Sequence, residues 1–362
     1  MFSKEGGVFI MAYNWDHQLL KELKKNPVAK NDLQYLYASI WDIFKISDCE
    51  RYSKKQVLIQ DMQYLSNYPF CESYLDKMDF FPEIDFKDER FENHFSEDDI
   101  FDLVHEFYEQ MPPLIYNIFI RQFNQRHSHF NFSNSKLKTF YTGHSYISPS
   151  TGDCFIKVQR TGKISDAVVT AHEYGHVIDY YIHPYITRPE CYTTTAEVTS
   201  IFMELLAMDF WQSYEEFKRD IQIEKEKFYS CLLESGNTLR DKFMIFKESN
   251  YFFNDTTYGD FAFDTFFKIL RHSLELSRKE LNMILKNPAS CIMPYTLSSL
   301  IALELYHIYQ TDPDFAFYLY KKFITIRANT ALELDQKINE LGIHPSTHTD
   351  TFIRKLGINK TN

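Results

Sequence analysis

The sequence predicts a mainly α-helical protein with a small β-sheet beside one central helix. Three observations predict it. Apolar residues recur at three- and four-residue steps through most segments. Aromatic residues are abundant (33 Phe, 25 Tyr, 3 Trp) while glycine is scarce at 10, a balance that suits helix-on-helix packing better than a turn-rich all-β fold. Only residues 136–160 carry short β-prone pieces. With 362 residues, 44% of them hydrophobic, the chain can bury a real core. It shows no internal repeat, low-complexity stretch or Gly/Ser/Pro-rich linker, so one continuous unit is expected.

The elements follow in order. Residues 98–123 place Ile100, Leu103, Val104, Phe107 and Tyr108 on one helical face, with Ser96 as N-cap. Met111-Pro112-Pro113 breaks or kinks this helix, which resumes over 114–126. Tyr146-Ile147-Ser148 and Cys154-Phe155-Ile156-Lys157-Val158 read as strands joined by a turn cluster at 149–153. After Thr161-Gly162-Lys163 a helix opens at Ser165 or Asp166 and runs to about His183-Pro184, so a hairpin feeds a helix. A further helix covers 196–204. Near the C-terminus, residues 296–310 are apolar through Leu297, Leu300, Ile301 and Leu305. Asp312-Pro313 is an N-cap followed by proline at the first helical position, and Thr330-Ala331-Leu332-Glu333 opens a last helix that Gly342 ends.

Charge narrows the partners. Fifty acids against 39 bases leave −11, and residues 72–109 alone hold 14 acids against three bases, which accounts for the entire excess. No basic stripe remains to neutralise phosphates, so nucleic acid is not an expected partner. No run approaches the roughly 18 apolar residues of a membrane span. The first 18 residues carry Lys4, Glu5, Asn14 and Asp16 where a signal peptide needs an apolar stretch. Six cysteines at wide spacings, with no Cys-x-x-Cys, read as reduced thiols. A cytoplasmic protein is expected.

The chemistry concentrates in His172-Glu173-Tyr174-Gly175-His176. Two histidines four apart lie one turn from each other on one face, so both imidazoles can reach a single metal ion while the adjacent Glu173 projects toward the same cleft. The pattern alone arises by chance in roughly 3 chains of 100 of this length, so it needs a third ligand. Glu197 supplies one if the 196–204 helix packs antiparallel on the first. Two nitrogens and a carboxylate with a fourth position open are what catalytic zinc requires, which predicts one Zn2+. Glu204, two turns along the same face, can accept a hydrogen bond from a ligating histidine. Asp179, one turn past His176, either supports the site from behind or serves as a cap. His144 either lines the cleft or occupies a plain loop, and Ser200 reads as a small residue for helix packing.

The motif His172-Glu173-Tyr174-Gly175-His176, followed by Ala196-Glu197-Val198-Thr199-Ser200 and Glu204, resembles the thimet oligopeptidase/oligopeptidase F family of zinc peptidases, in particular its oligopeptidase F branch. The likeness extends weakly over about residues 90–358. It implies a helical zincin-type metallopeptidase catalytic domain over 91–362, preceded by a reduced N-terminal helical segment at 1–90. It also implies peptide substrates, a zinc-activated water and Glu173 as general base and acid. Tyr295 matches a family tyrosine that stabilises the oxyanion. The 154–158 strand, if it is an edge beside the metal as in the family, implies substrate binding by strand addition along Phe155, Ile156 and Lys157. The reading that competes from another class is a family-derived peptide- or metal-binding protein without turnover. The acidic block is either a solvated face or, bordering the cleft, a selector of cationic peptides.

Overall fold

The computed structural model describes residues 54–68, 75, 91–133, 143–147, 154–182, 192–253, 268, 271–286, 288–325, 328 and 330–343. Most of the 1–90 segment, the 149–153 turn and His183-Pro184 lie outside the described residues. The elements are α1 (Lys54–Leu65), α2 (Glu97–Glu109), α3 (Pro113–Phe123), the single turn α4 (Arg126–His129), β1 (Phe130–Ser133), β2 (Gly143–Ile147) and β3 (Cys154–Gln159). They continue with α5 (Ile164–Ile182), α6 (Tyr192–Gln212), α7 (Lys218–Phe253), α8 (Arg278–Ile284), α9 (Ala289–Tyr309), α10 (Pro313–Ile324) and α11 (Ala331–Glu340). Helices dominate, and one three-stranded sheet of order β1-β3-β2 lies beside α5.

Local chemistry explains most helix ends. Ser96 accepts from Asp99 N at 3.1 Å while the Asp99 carboxylate accepts from Ser96 N at 2.7 Å, so the reciprocal capping pair holds the start of α2. Pro112 and Pro113 separate α2 from α3, as the sequence predicts. Asp312 caps α10 through Phe315 N at 3.0 Å, and Thr330 caps α11 through Glu333 N at 3.2 Å. Gly342 ends α11 in the left-handed region, at φ 71°, where glycine carries no Cβ penalty.

Three features depart from the sequence reading. The helix expected from 296 begins at Ala289 and runs through Pro294. Its start is supplied from elsewhere in the chain: the Asp61 carboxylate of α1 accepts from Ala289 N at 2.5 Å. Within α9 the hydroxyls of Thr296 and Ser298 donate to the carbonyls of Ile292 and Pro294. α9 is also the one described helix long and apolar enough to cross a membrane by length and composition, and 72% of that apolar window is buried inside the protein, against α6, α7 and α10. Second, the 36-residue α7 has no strong apolar stripe to announce it. Third, β1 pairs in parallel with β3, in the register Phe130 to Ile156 and Phe132 to Val158.

The last of these corrects the strand expectation. β3 is the central strand, hydrogen-bonded to β1 on one side and antiparallel β2 on the other, so it has no free edge to offer a substrate. Among the described residues β1 and β2 are the end strands, and β2 packs against α5.

The main core joins α2, α3, α5, α6, α9 and α10 around Phe107, Tyr108, Phe119, Tyr174, Phe202, Trp211 and Tyr320. A smaller cluster of Val57, Leu58, Ile245, Leu281, Ile284 and Leu285 sits where α1, α7 and α8 meet. On α2 the acids Glu97, Asp98, Asp99, Asp102, Glu106 and Glu109 are exposed while Ile100, Val104, Phe107 and Tyr108 are buried. That part of the acidic block is a solvated face; residues 76–90 lie outside the described residues.

Candidate metal centre

α5, which carries His172 and His176, is fixed at its start and along its back. Asp166, 1% exposed, accepts from Thr161 N (3.0 Å), Gly162 N (2.8 Å) and Thr161 Oγ1 (2.5 Å), and pairs with Arg160. Gly162 adopts φ 76° to make that turn, and its carbonyl accepts from Phe95 N at 2.9 Å. Farther along, the buried Tyr108 hydroxyl donates to the Ala171 carbonyl at 2.7 Å, one residue before His172. Tyr174 packs edge-on against Phe119, with ring centroids 4.9 Å apart. These contacts hold one face of α5 in the core and turn the face of His172 and His176 toward α6.

The approach of α6 is unusually close at one point. A methyl group on Gly175 would lie 2.6 Å from Ser200 Cα, so only glycine at 175 allows the backbones to meet there. Ser200 is fully buried at this crossing, in the small-residue packing role expected of it. Glu197, one turn earlier on α6, is thereby brought to the two histidines. Glu197 Oε2 lies 3.5 Å from His172 Nε2 and 3.6 Å from His176 Nε2, and the three ligand atoms fall within 4.8 Å of one another.

This donor set fits a metal ion. Ligand atoms about 2.0–2.2 Å from one tetrahedral ion stand about 3.4 Å apart, which matches the spacing of Glu197 to both histidines. The far side of His172 is also occupied as a ligand requires: its Nδ1 meets Glu204 Oε2 at 2.9 Å, directing Nε2 to the Glu197 side. Electrostatics agree. Burial opposes a charge on His172, yet hydrogen bonds to Glu197 and Glu204 hold its pKa well above the usual histidine value. Burial likewise pushes Glu197 up, but His176 and His172 outweigh it and keep the carboxyl below its ordinary range. The cluster thus gathers anionic and imidazole ligands that call for positive charge.

Glu173 lies next to this cluster and faces β2. A methyl group on Gly143 would sit 2.4 Å from Glu173 Oε1 and 2.5 Å from Val169 Cγ1, so the bare glycine makes room for the carboxyl. The Ser145 side chain hydrogen-bonds Glu173, whereas Glu173 Oε2 is buried without a partner among the described residues. Burial, against the opposing pull of His172, raises the Glu173 pKa to about 7. Gly143 and Ser145 are the site residues that sequence reading missed. Period-two alternation along the strand is the signal that puts them on one face once the strand is extended back to 143.

The remaining candidates fall in different places. His144 alternates with Gly143 and Ser145 and lies across from Lys157, on the sheet face away from Glu173. Phe155 packs against His129 at 4.6 Å between ring centroids, and Ile156 and Lys157 are 5% and 6% exposed within the central strand. Ile156 and Lys157 are not on an open strand edge, because β1 and β2 pair on both sides of them, while Phe155 lies across from Tyr146 of β2. Asp179 is buried between α5 and α6, where Thr199 Oγ1 reaches its Oδ1 at 3.4 Å and burial pushes its pKa to about 7. Tyr295, from α9, is a lesser contributor to the lowered pKa of Glu197, behind the two histidines.

At the level of sequence, no family model matches the chain and no curated protein is significantly similar to it. Solved structures are similar in fold. A candidate peptidase from Chlamydophila abortus superposes with a TM-score of 0.52 at 14% identity, over 84% of this chain and 54% of that one. A candidate oligoendopeptidase F from Bacillus anthracis str. Ames gives 0.47 at 15% identity, over 84% and 56%. PZ peptidase A with an inhibitor gives 0.45 at 15% identity, over 73% and 49%. The chain therefore shares its mainly helical fold with a solved candidate peptidase and spans about half the length of the structures it matches.

Proposed function

We propose that this protein is a zinc-dependent peptidase that hydrolyses peptide bonds of oligopeptides. The observation that carries the reading is the convergence of His172 Nε2, His176 Nε2 and Glu197 Oε2, with the carboxyl of Glu173 beside them. Those three side chains would hold the ion. When bound there, zinc supplies Lewis-acid polarisation of a carbonyl and acidifies water.

The chain's own residues do the rest. Glu204 holds the Nδ1 side of His172 and so fixes the tautomer that presents Nε2. Glu173 takes the proton of the attacking water and returns it to the leaving amine, with Ser145 and the space at Gly143 setting the angle of its carboxyl. β2, which ends the sheet among the described residues, lies beside Glu173, and an extended peptide laid along it would be recognised through its backbone more than through its side chains.

The test combines zinc content of the purified protein with cleavage of a peptide mixture by wild type and by Glu173→Gln. The expected result is one zinc per chain in both proteins and a turnover loss of about 10²- to 10⁴-fold in the variant. Zinc without cleavage in the wild type removes the enzyme and leaves a metal-binding protein. Cleavage that survives Glu173→Gln removes the assigned base.

A further inference from the structure

Ser200 is more polar than its packing role requires. At the crossing of α5 and α6 a residue need only be small, yet Ser200 brings a hydroxyl into a fully buried position. A methyl group on Gly175 would lie 2.6 Å from Ser200 Cα and 3.3 Å from its Cβ, so the α5 backbone closes that side of the residue. Side chains on a helix lean back toward its N-terminus. The hydroxyl accordingly points one turn back along α6, at Glu197.

Two acceptors of Glu197 meet it there. Ser200 Oγ donates to the Glu197 carbonyl at 3.0 Å and reaches Glu197 Oε2 at 3.4 Å. Oε2 is also the oxygen that stands 3.5 Å from His172 Nε2 and 3.6 Å from His176 Nε2. One hydroxyl therefore spans the backbone and the head group of the same residue, at the oxygen that faces both imidazoles. A serine within a helix often donates to a carbonyl of the preceding turn, and that bond alone would concern only the helix. The second contact joins Ser200 to the ligand set. A glutamate loses rotamer freedom when its carboxylate is fixed, so restraining the head group before metal arrives removes part of that entropy loss from the binding step.

We infer that Ser200 is a positioning residue for Glu197: its hydroxyl holds the carboxylate where the two histidines meet, and so sets zinc affinity. This rests on the zinc reading above and sharpens it. The small size of Ser200 lets α5 and α6 touch, and its hydroxyl orients the carboxylate that this contact brings to the histidines. Alanine separates the two roles, because it keeps the side chain small and lacks the donor.

The experiment measures zinc dissociation constants by competition with a chromophoric chelator for wild type, Ser200→Ala and His176→Ala. The metal-free melting temperature of each serves as the folding control. Ser200→Ala is expected to melt as wild type does without metal and to bind zinc about 10- to 100-fold more weakly, as loss of a ligand's hydrogen-bonding support does. A serine that only packs the crossing would leave zinc affinity where it was. Affinity equal to wild type in Ser200→Ala therefore overturns the inference. A loss of affinity that comes with a lowered metal-free melting temperature, or with failure to fold, overturns it too, because the crossing itself would then have depended on the hydroxyl. A wild type that binds no zinc, or a His176→Ala protein that binds it as wild type does, overturns the zinc reading as well, so the two failures are distinguishable.

Discussion

Two buried clusters of charge in this molecule behave in opposite ways. Between α1 and α7, Asp61 and Lys242 meet at 2.5 Å with 5% and 1% of their side chains exposed, and Ala289 N completes the carboxylate's bonding. Burial raises the Asp61 pKa, and the Lys242 charge and the Ala289 hydrogen bond counter that rise. Anion, cation and donor close the account inside the protein. Between α5 and α6, His172, His176 and Glu197 converge with Glu204 behind them, so that two imidazoles and a carboxylate direct ring nitrogens and an oxygen at one small space. A pair that neutralises itself staples helices together; a group of convergent imidazole and carboxylate atoms could hold a cation.

Exchanging one charge in each cluster breaks this comparison most directly. Lys242→Met leaves Asp61 buried and uncompensated, which is expected to lower stability by about 3–5 kcal/mol in denaturant unfolding, while zinc stoichiometry is retained. His176→Ala is expected to do the reverse. It leaves the metal-free unfolding midpoint near that of wild type and abolishes the zinc-induced rise, which at a hundredfold excess over Kd is about 2.7 kcal/mol in the wild type. If His176→Ala destabilised the metal-free protein as much as Lys242→Met does, the centre would be another staple.

Gly175→Ala tests the close crossing that assembles the second cluster. The added methyl has Ser200 backbone 2.6 Å away, so α6 must shift. About 1–3 kcal/mol of stability should be lost, together with zinc affinity, and chelator competition on the folded variant reads the second effect. A variant that keeps wild-type zinc affinity would show that the crossing does not set the ligand geometry. A smaller effect is expected from Glu204→Gln, which keeps an acceptor for His172 but removes its charge. Zinc affinity should fall by no more than about 10- to 100-fold, with stability of the metal-free chain little changed; an unaltered zinc titration would detach Glu204 from the site.

Much of this centre is legible in the sequence because it is local. A four-residue spacing on a helix places His172 and His176 on one face whatever surrounds them, and Glu197 and Glu204 repeat the same periodicity on the next helix. Ser96, Asp312, Thr330 and Gly342 announce helix ends because caps are made by neighbours in the chain. The strand order is not local. β1 binds β3 across 26 positions of sequence, and that pairing moves β3 from the edge to the centre. Ile156 and Lys157 lose their place at the edge for this reason, and Gly143 and Ser145 take one beside Glu173.

The sequence by itself determined a helical protein whose central helix carries His172, Glu173 and His176, with Glu197 and Glu204 on a second helix, since side-chain periodicity and capping depend on residues a few positions apart. Only the tertiary structure decided that Gly175 lets α6 approach closely enough to bring Glu197 to His172 and His176. It alone decided that α9 begins at Ala289, where Asp61 supplies an acceptor from 228 residues away. Each of those contacts joins groups distant in the chain, and what specifies them is the packing of whole helix faces, a sum of many small terms that no single spacing records.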